Sequence, residues 1–287
     1  MNGLMMIQRI KRAVKRRFER YFVRKIKVPV VVPVFKNELL KGRRAFITGG
    51  SKGIGFAIAE AFLSSGCEVV ITGRDESSLK DAVDKLVGIG PRVGYCVIDN
   101  CVPEKFEDAI KSVIVEYGEF DILVNNAGFT KGGGLFDSTI ESYNKVFDSI
   151  LRGAWFMSQL FAKRWIARHI EGNILNICST SSLRPGYSPY TMCKWGERAM
   201  TIGLAKRLIP YNIVVNGIGP GVTNIKRLIP DADAGISHPY NPSGRYATAE
   251  EIANMAVILT SSIGRMVVGD VVYMGGGAGV ITVDDEG

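Results

Sequence analysis

Tyr190 and Lys194 stand four residues apart, which puts both side chains on one face of an α-helix. A free phenol gives up its proton too reluctantly to exchange it easily in neutral water. An ammonium one turn away favours the phenolate, so the pair can pass a proton to an oxygen that is gaining charge and take it back. Ser179 lies eleven residues before Tyr190, at the end of a strand-like run, and Ser181 and Ser182 follow it at a still shorter spacing. A third group is the run Thr48-Gly49-Gly50-Ser51-Lys52-Gly53-Ile54-Gly55. Glycines allow a tight turn and close approach of backbone N–H groups to a phosphate, and a helix starting there adds partial positive charge. Taken singly, each group has a plain explanation: a surface Tyr–Lys pair, loop hydroxyls capping a turn, and a tight connection.

The elements around these groups decide between the readings. Apolar, β-branched runs of strand length occur at Arg44–Thr48, Glu68–Thr72, Arg92–Ile98, Asp121–Asn125, Asn173–Cys178, Ile213–Asn216 and Val267–Met274. Helical patterns lie between them at Gly53–Ser65, Ser77–Val87, Glu104–Tyr117, Ile140–His169, Pro189–Leu208 and Ala249–Ser261. Near-continuous apolar strands alternating with helices predict an α/β fold: one doubly wound domain with a mostly parallel sheet of seven strands. Ligands of such sheets bind beyond the carboxyl ends of the strands, where the glycine run and Ser179 fall.

With that frame, the glycine run, Asn125-Asn126-Ala127-Gly128 after the fourth strand, Tyr190-x-x-x-Lys194, and Asn216 with Pro220-Gly221 resemble the short-chain dehydrogenase/reductase family in order and spacing. The resemblance extends from about Lys41 to Gly277 and implies a Rossmann-like fold. It implies an oxidoreductase that moves hydride between a nicotinamide cofactor and a carbonyl or secondary alcohol, a 3-oxoacyl thioester among the candidate substrates, and a homo-oligomer, dimer or tetramer. By the same resemblance the catalytic set is Tyr190, Lys194 and Ser179, the Ser179–Tyr190 spacing being shorter than usual. The cofactor would be held by Gly49, Ser51, Lys52, Gly53, Ile54, Gly55, Arg74, Asp99, Asn126, Ala127, Gly128, Tyr190, Lys194, Pro220 and Gly221. Gly73 stands where NAD-preferring members carry Asp, and the Arg74 guanidinium beside it can pair with a 2′-phosphate. With Lys52 as a second cation, NADP(H) is expected over NAD(H), although Asp75 adjoins the site. One departure stands out. In Ser149-Ile150-Leu151-Arg152-Gly153, Ile150 occupies the position of the family's Asn, whose bound water links the lysine to solvent. Another group then supplies the relay, or turnover is slow, or the protein is a low-activity NADP-binding scaffold or sensor. Near these motifs, His238 reads as a solvated loop residue, Cys193 as packing, and Lys226 and Arg227 as a solvated helix face rather than an attractor of anionic substrate.

Composition bounds the rest. The chain has 287 residues, 46% hydrophobic and 22% charged, which excludes a mostly disordered chain, a collagen-like repeat and a small disulfide scaffold. Five cysteines without a C-x-x-C pair suit thiols in a reducing compartment, and no metal-type Cys/His spacing occurs. Residues 1–44 carry 14 Lys and Arg against 2 acidic residues, whereas the remainder carries 22 against 26. The chain therefore divides into a basic arm with a Pro/Val connector (1–42), the enzyme-like domain (43–280) and an acidic tail (281–287). From Ile7 to Ile26 the arm reads as an amphipathic helix. It suits an anionic membrane surface, contacted through residues 1–27, or packing on the body or a partner; nucleic acid is disfavoured, since no recognised nucleic-acid-binding motif accompanies it. No run is long and apolar enough for a membrane span or a secretory signal, so a cytoplasmic protein, peripheral at the inner face of a membrane, is expected.

Overall fold

The computed structural model describes residues 37–130, 132–224, 238 and 241–280. Residues 1–36 of the arm and connector, the acidic tail, and Lys226 and Arg227 lie outside the described residues. The parallel strands are β1 (Arg44–Thr48), β2 (Glu68–Gly73), β3 (Val93–Val97), β4 (Ile122–Asn125), β5 (Asn173–Ile177), β6 (Val214–Pro220) and β9 (Val271–Met274), in the spatial order β3-β2-β1-β4-β5-β6-β9. All six pairings are parallel. The order reverses between β1 and β4, which opens a crevice at their carboxyl ends. Helices α1 (Gly53–Ser64), α2 (Glu76–Leu86) and α7 (Ala249–Thr260) cover one face; α3 (Phe106–Tyr117), α5 (Gly153–Arg168) and α6 (Pro189–Leu208) cover the other. Every residue of β4, β5 and β6 is buried, as a sheet covered on both faces requires, while edge strand β3 alternates. The second core packs Phe46, Phe120, Phe161 and Trp165, and the Trp165 indole donates to the Phe120 carbonyl at 2.6 Å.

The last strand begins at Val271 and not at the expected Val267, and three larger features differ from the sequence expectation. The helix expected from Ile140 to His169 is α4 (Ile140–Phe147), a π-helical turn at Asp148–Arg152, and α5. The Ser149 carbonyl there accepts from Asn100 Nδ2 at 2.7 Å, and Gly153 lets the chain pass Asn100 where any Cβ would collide with it. Strand β6 runs four residues past Asn216. Its glycines obscured the apolar pattern, but a Cβ on Gly219 would strike the Tyr273 ring of β9 and one on Gly217 would come within 3.1 Å of the Cys178 thiol. A two-residue pair, β7 (Thr223–Asn224) with β8 (Ala247–Thr248), has no periodicity to announce it.

Candidate active site

Because the strands are parallel, the segments after β1, β2, β3, β4, β5 and β6 emerge at one edge of the sheet, and every site residue expected from the sequence lies on or just past that edge, or at the start of α6. The glycine turn is locked to the segment after β4. Thr48 Oγ1 accepts the N–H groups of Asn126 (2.9 Å) and Ala127 (3.0 Å), and Asn126 Nδ2 donates to the carbonyls of Thr48 and Gly49, both at 3.0 Å. Gly49 and Gly53 adopt left-handed φ values of 66° and 60°. A Cβ on Gly49 would lie 2.9 Å from the Ala127 Cα, and one on Gly55 would lie 2.5 Å from the Gly49 carbonyl oxygen. The turn is thus a cradle of bare backbone beside a helix N-terminus that has no acidic residue in its first turn and no side-chain cap, which suits a pyrophosphate. Ser51 and Ile54 line its course, Ile54 resting on the core behind it.

Lys52 and Arg74 are both exposed at this edge. Asp75 is engaged at the start of α2, where its carboxylate caps the helix by accepting the Ser78 N–H at 2.8 Å, a bond that holds the acid below the usual range. Asp99 is half-buried after β3 and accepts the Cys101 N–H at 2.9 Å. Pro220 ends β6, and Gly221 follows, where a Cβ would come within 2.7 Å of the Gly275 Cα. Gly128 is exposed and faces Ile150.

Ser188 caps α6 by accepting the Thr191 N–H at 3.3 Å, and Pro189 occupies the first turn, so Tyr190 and Lys194 fall in the helix's opening turns. A buried polar chain fixes the helix on the sheet: Asn125 Nδ2 donates to Asn176 Oδ1 at 2.8 Å, and Asn176 Nδ2 to Thr201 Oγ1 at 2.9 Å. Tyr190 is half-buried, and the Lys194 Nζ lies 5.7 Å from its ring centroid. Ser179 leaves β5 in extended backbone and its hydroxyl accepts the Ser181 N–H at 3.1 Å. Ser182 is committed elsewhere, donating to the Ser179 carbonyl at 2.7 Å with Tyr273 Oη 2.9 Å away.

Lys194 has a partner that sequence reasoning missed. Its ammonium donates to the Ile177 carbonyl at 2.9 Å and to Glu197 Oε2 at 2.6 Å, both side chains being buried. Burial opposes the Lys194 charge, but the Glu197 carboxylate, with Tyr190, outweighs it and holds the ammonium above its usual range. Burial pushes the Glu197 carboxyl up, while Lys194 pulls it back. The three-residue spacing was the available signal; nothing in it indicated burial.

Ile150 is fully buried with Val146 and Cys193, packed against Phe129 and Tyr190. Neighbouring Ser149 is occupied structurally, its hydroxyl accepting the Phe129 N–H at 3.2 Å and donating to the Val146 carbonyl. Burial pushes the thiols of Cys178 and Cys193 up to about 12, so neither is a nucleophile. His238 stacks edge-on against Tyr246 with centroids 4.5 Å apart.

A glycine turn at a helix N-terminus and a Tyr–Lys pair stand at one edge of a doubly wound parallel sheet, a Rossmann-like arrangement. Comparison with known proteins supports this. A family model described as enoyl-(acyl carrier protein) reductase matches residues 49–279. Gluconate 5-dehydrogenase from Gluconobacter oxydans is 31% identical over 244 residues, 83% of this chain and 95% of that protein. The 3-oxoacyl-(acyl-carrier-protein) reductase of Chlamydia muridarum is 32% identical over 251 residues, 84% of this chain and 99% of that one. Among solved structures, L-sorbose reductase from Gluconobacter frateurii, complexed with NADPH and L-sorbose, superposes with a TM-score of 0.77 at 29% identity, covering 83% of this chain and 96% of that chain. The chain belongs to the short-chain dehydrogenase/reductase family of oxidoreductases.

Proposed function

We propose that the protein is an NADP(H)-dependent oxidoreductase acting on a carbonyl or secondary alcohol. The observation that carries the reading is Tyr190 and the buried cation Lys194 on one turn of α6, at the sheet edge that also bears the glycine cradle. Bound nicotinamide supplies or accepts the hydride. Tyr190 gives its proton to the substrate oxygen in reduction and takes it back in oxidation, Ser179 donates a hydrogen bond to that oxygen, and Lys194 holds the cofactor ribose. The substrate is a small molecule, with 3-oxoacyl thioesters and keto sugars first to be tried, given the names of the relatives. A substrate panel read by NADPH consumption tests the function, and no turnover across these classes would remove it. Ile150 favours a second reading, a low-activity NADP-binding scaffold or sensor, which that outcome would support.

Arg74 and Lys52 are both exposed at this edge, Gly73 offers no acid to the ribose, and Asp75 caps α2. NADPH is expected to bind more tightly than NADH, with Arg74→Ala narrowing the gap by about tenfold, the loss of one charged hydrogen-bonded contact. Fluorescence titration showing an NADH preference in the unaltered protein would overturn this.

Two further elements of the reading concern partners. The protein forms a dimer or tetramer through the outer faces of α5 and α6, where Trp155, Phe156 and Trp195 are exposed; light scattering on the full chain reads this directly. Residues 1–27 bind an anionic membrane surface. Each Lys or Arg near such a surface contributes about 1 kcal/mol, so the seven between Arg9 and Arg20 suffice for reversible binding. The full chain is expected to sediment with anionic vesicles at low salt and to be released at high salt. Indifference to anionic vesicles at low salt would return the arm to a packing role.

A further inference from the structure

A lysine that acts on a neighbouring phenol through its charge acts most strongly when that charge stands alone. Here it does not. Glu197 sits 2.6 Å from the Lys194 ammonium, with only 2% of its side chain exposed, one turn further from Tyr190 along the same helix. The Ile177 carbonyl accepts a second hydrogen bond from the ammonium, which ties the cation to the end of β5. We propose that Glu197 is a positioning residue that fixes the Lys194 ammonium and cancels much of its charge, and so sets the pH at which the site changes protonation state, biasing it towards carbonyl reduction.

The bias follows from the roles above: reduction needs the protonated phenol and oxidation the phenolate, and a neutralised lysine favours the phenolate less than a bare one. The inference therefore rests on Tyr190 being the proton donor. From α4 the Lys145 ammonium lies over the Phe129 ring, 4.9 Å from its centroid, a charge that no substitution in the test below alters. On α6 the remaining titratable or charged neighbours are Cys193 and Arg198; from the end of β5 Cys178 faces the pair. Burial keeps both thiols neutral, and Arg198 is directed away, donating to the Ser182 carbonyl at 3.3 Å and lying over the Trp195 ring. Tyr190 packs against the buried cluster of Val146, Ile150 and Cys193, on which Phe129, Phe147 and Leu151 also rest. Both charges act on Tyr190 with opposite sign, so the Glu197 carboxylate offsets part of the Lys194 field at the phenol.

The test needs no substrate. The ultraviolet phenolate titration of Tyr190 is read as the difference between each protein and its Tyr190→Phe counterpart. In Glu197→Gln, which leaves the lysine's charge unopposed, this titration is expected to move to lower pH by about one unit, a tenfold change in the acid dissociation constant, whereas Glu197→Asp, which keeps the charge, should titrate close to the parent. A folded Glu197→Gln protein that titrates within about half a unit of the parent would overturn the proposal. Glu197→Gln strands a buried ammonium and can fail to fold. In that case the double variant Lys194→Met/Glu197→Leu decides, since it removes a pair that the proposal holds to be electrically neutral. A double-variant titration within about half a unit of the parent supports the offset, and a rise of about one unit or more shows that Lys194 had acted as a bare cation and sinks it. Tyr190→Phe with undiminished turnover would instead remove the assignment of the proton donor and leave the titration result standing.

Discussion

Tyr190→Phe is expected to lower turnover by about 10²–10⁴-fold while leaving NADPH affinity within about twofold of the parent. The substitution deletes one oxygen and keeps the ring. That ring packs against Val146, Ile150 and Cys193, so the apolar contacts that seat the start of α6 survive. Lys194 keeps both of its visible partners, the Ile177 carbonyl and Glu197, neither of which involves the phenol. The cradle at Gly49, Gly53 and Gly55 is held by Thr48 and Asn126 and is likewise untouched. What remains is a cofactor-binding protein without its proton donor. Parallel measurement of kcat and of NADPH affinity separates the two effects. Undiminished turnover would place the donor elsewhere, and affinity lost in step with turnover would point to a structural role for the hydroxyl.

Gly55→Ala is expected to weaken NADPH binding by about tenfold or more and to destabilise the fold by about 1–3 kcal/mol. The new methyl would stand 2.5 Å from the Gly49 carbonyl oxygen and against Asn126 Nδ2. Neither neighbour can yield cheaply. One is backbone of the turn itself, and the other donates to the carbonyls of both Thr48 and Gly49. Relief of the clash therefore moves the cradle. The same substitution at Gly203, in the interior of α6 with nothing within 4 Å of its Cβ position, should instead stabilise by about 0.5–1 kcal/mol, the helix propensity gained. Thermal unfolding and NADPH titration of the two variants make the comparison. Equal effects at the two positions would mean that Gly55 carries no special constraint.

The alternation of apolar strands with helices was legible residue by residue, because a parallel sheet covered on both faces needs unbroken apolar strands. Strand β1 and helix α6 coincide with the spans expected from pattern and capping alone. The expected site residues were legible for a related reason. In a parallel sheet the segments after successive strands meet at one edge, so residues far apart in sequence can be assigned to one place without knowledge of any contact. The departure at Ile150 was legible as well, since the residue type itself removes the polar group.

The sequence determined the sheet, the edge at which the candidate site lies, and the glycine, tyrosine and lysine positions on it, because these depend on local periodicity and on residue type. Only the tertiary structure decided what each polar group is paired with. Asp75 adjoins Arg74 in the chain, yet it is withdrawn from any phosphate by the α2 N-terminus. Asn100 draws the Ser149 carbonyl out of its helical bond at a π-helical turn, across a separation of 49 residues. By spacing alone Glu197 is one more solvated helix residue. The fold buries it beside Lys194, where a carboxylate out of water pairs with that ammonium. Hydrogen-bond partners and local dielectric are properties of the packed chain, and no spacing in the sequence encodes them.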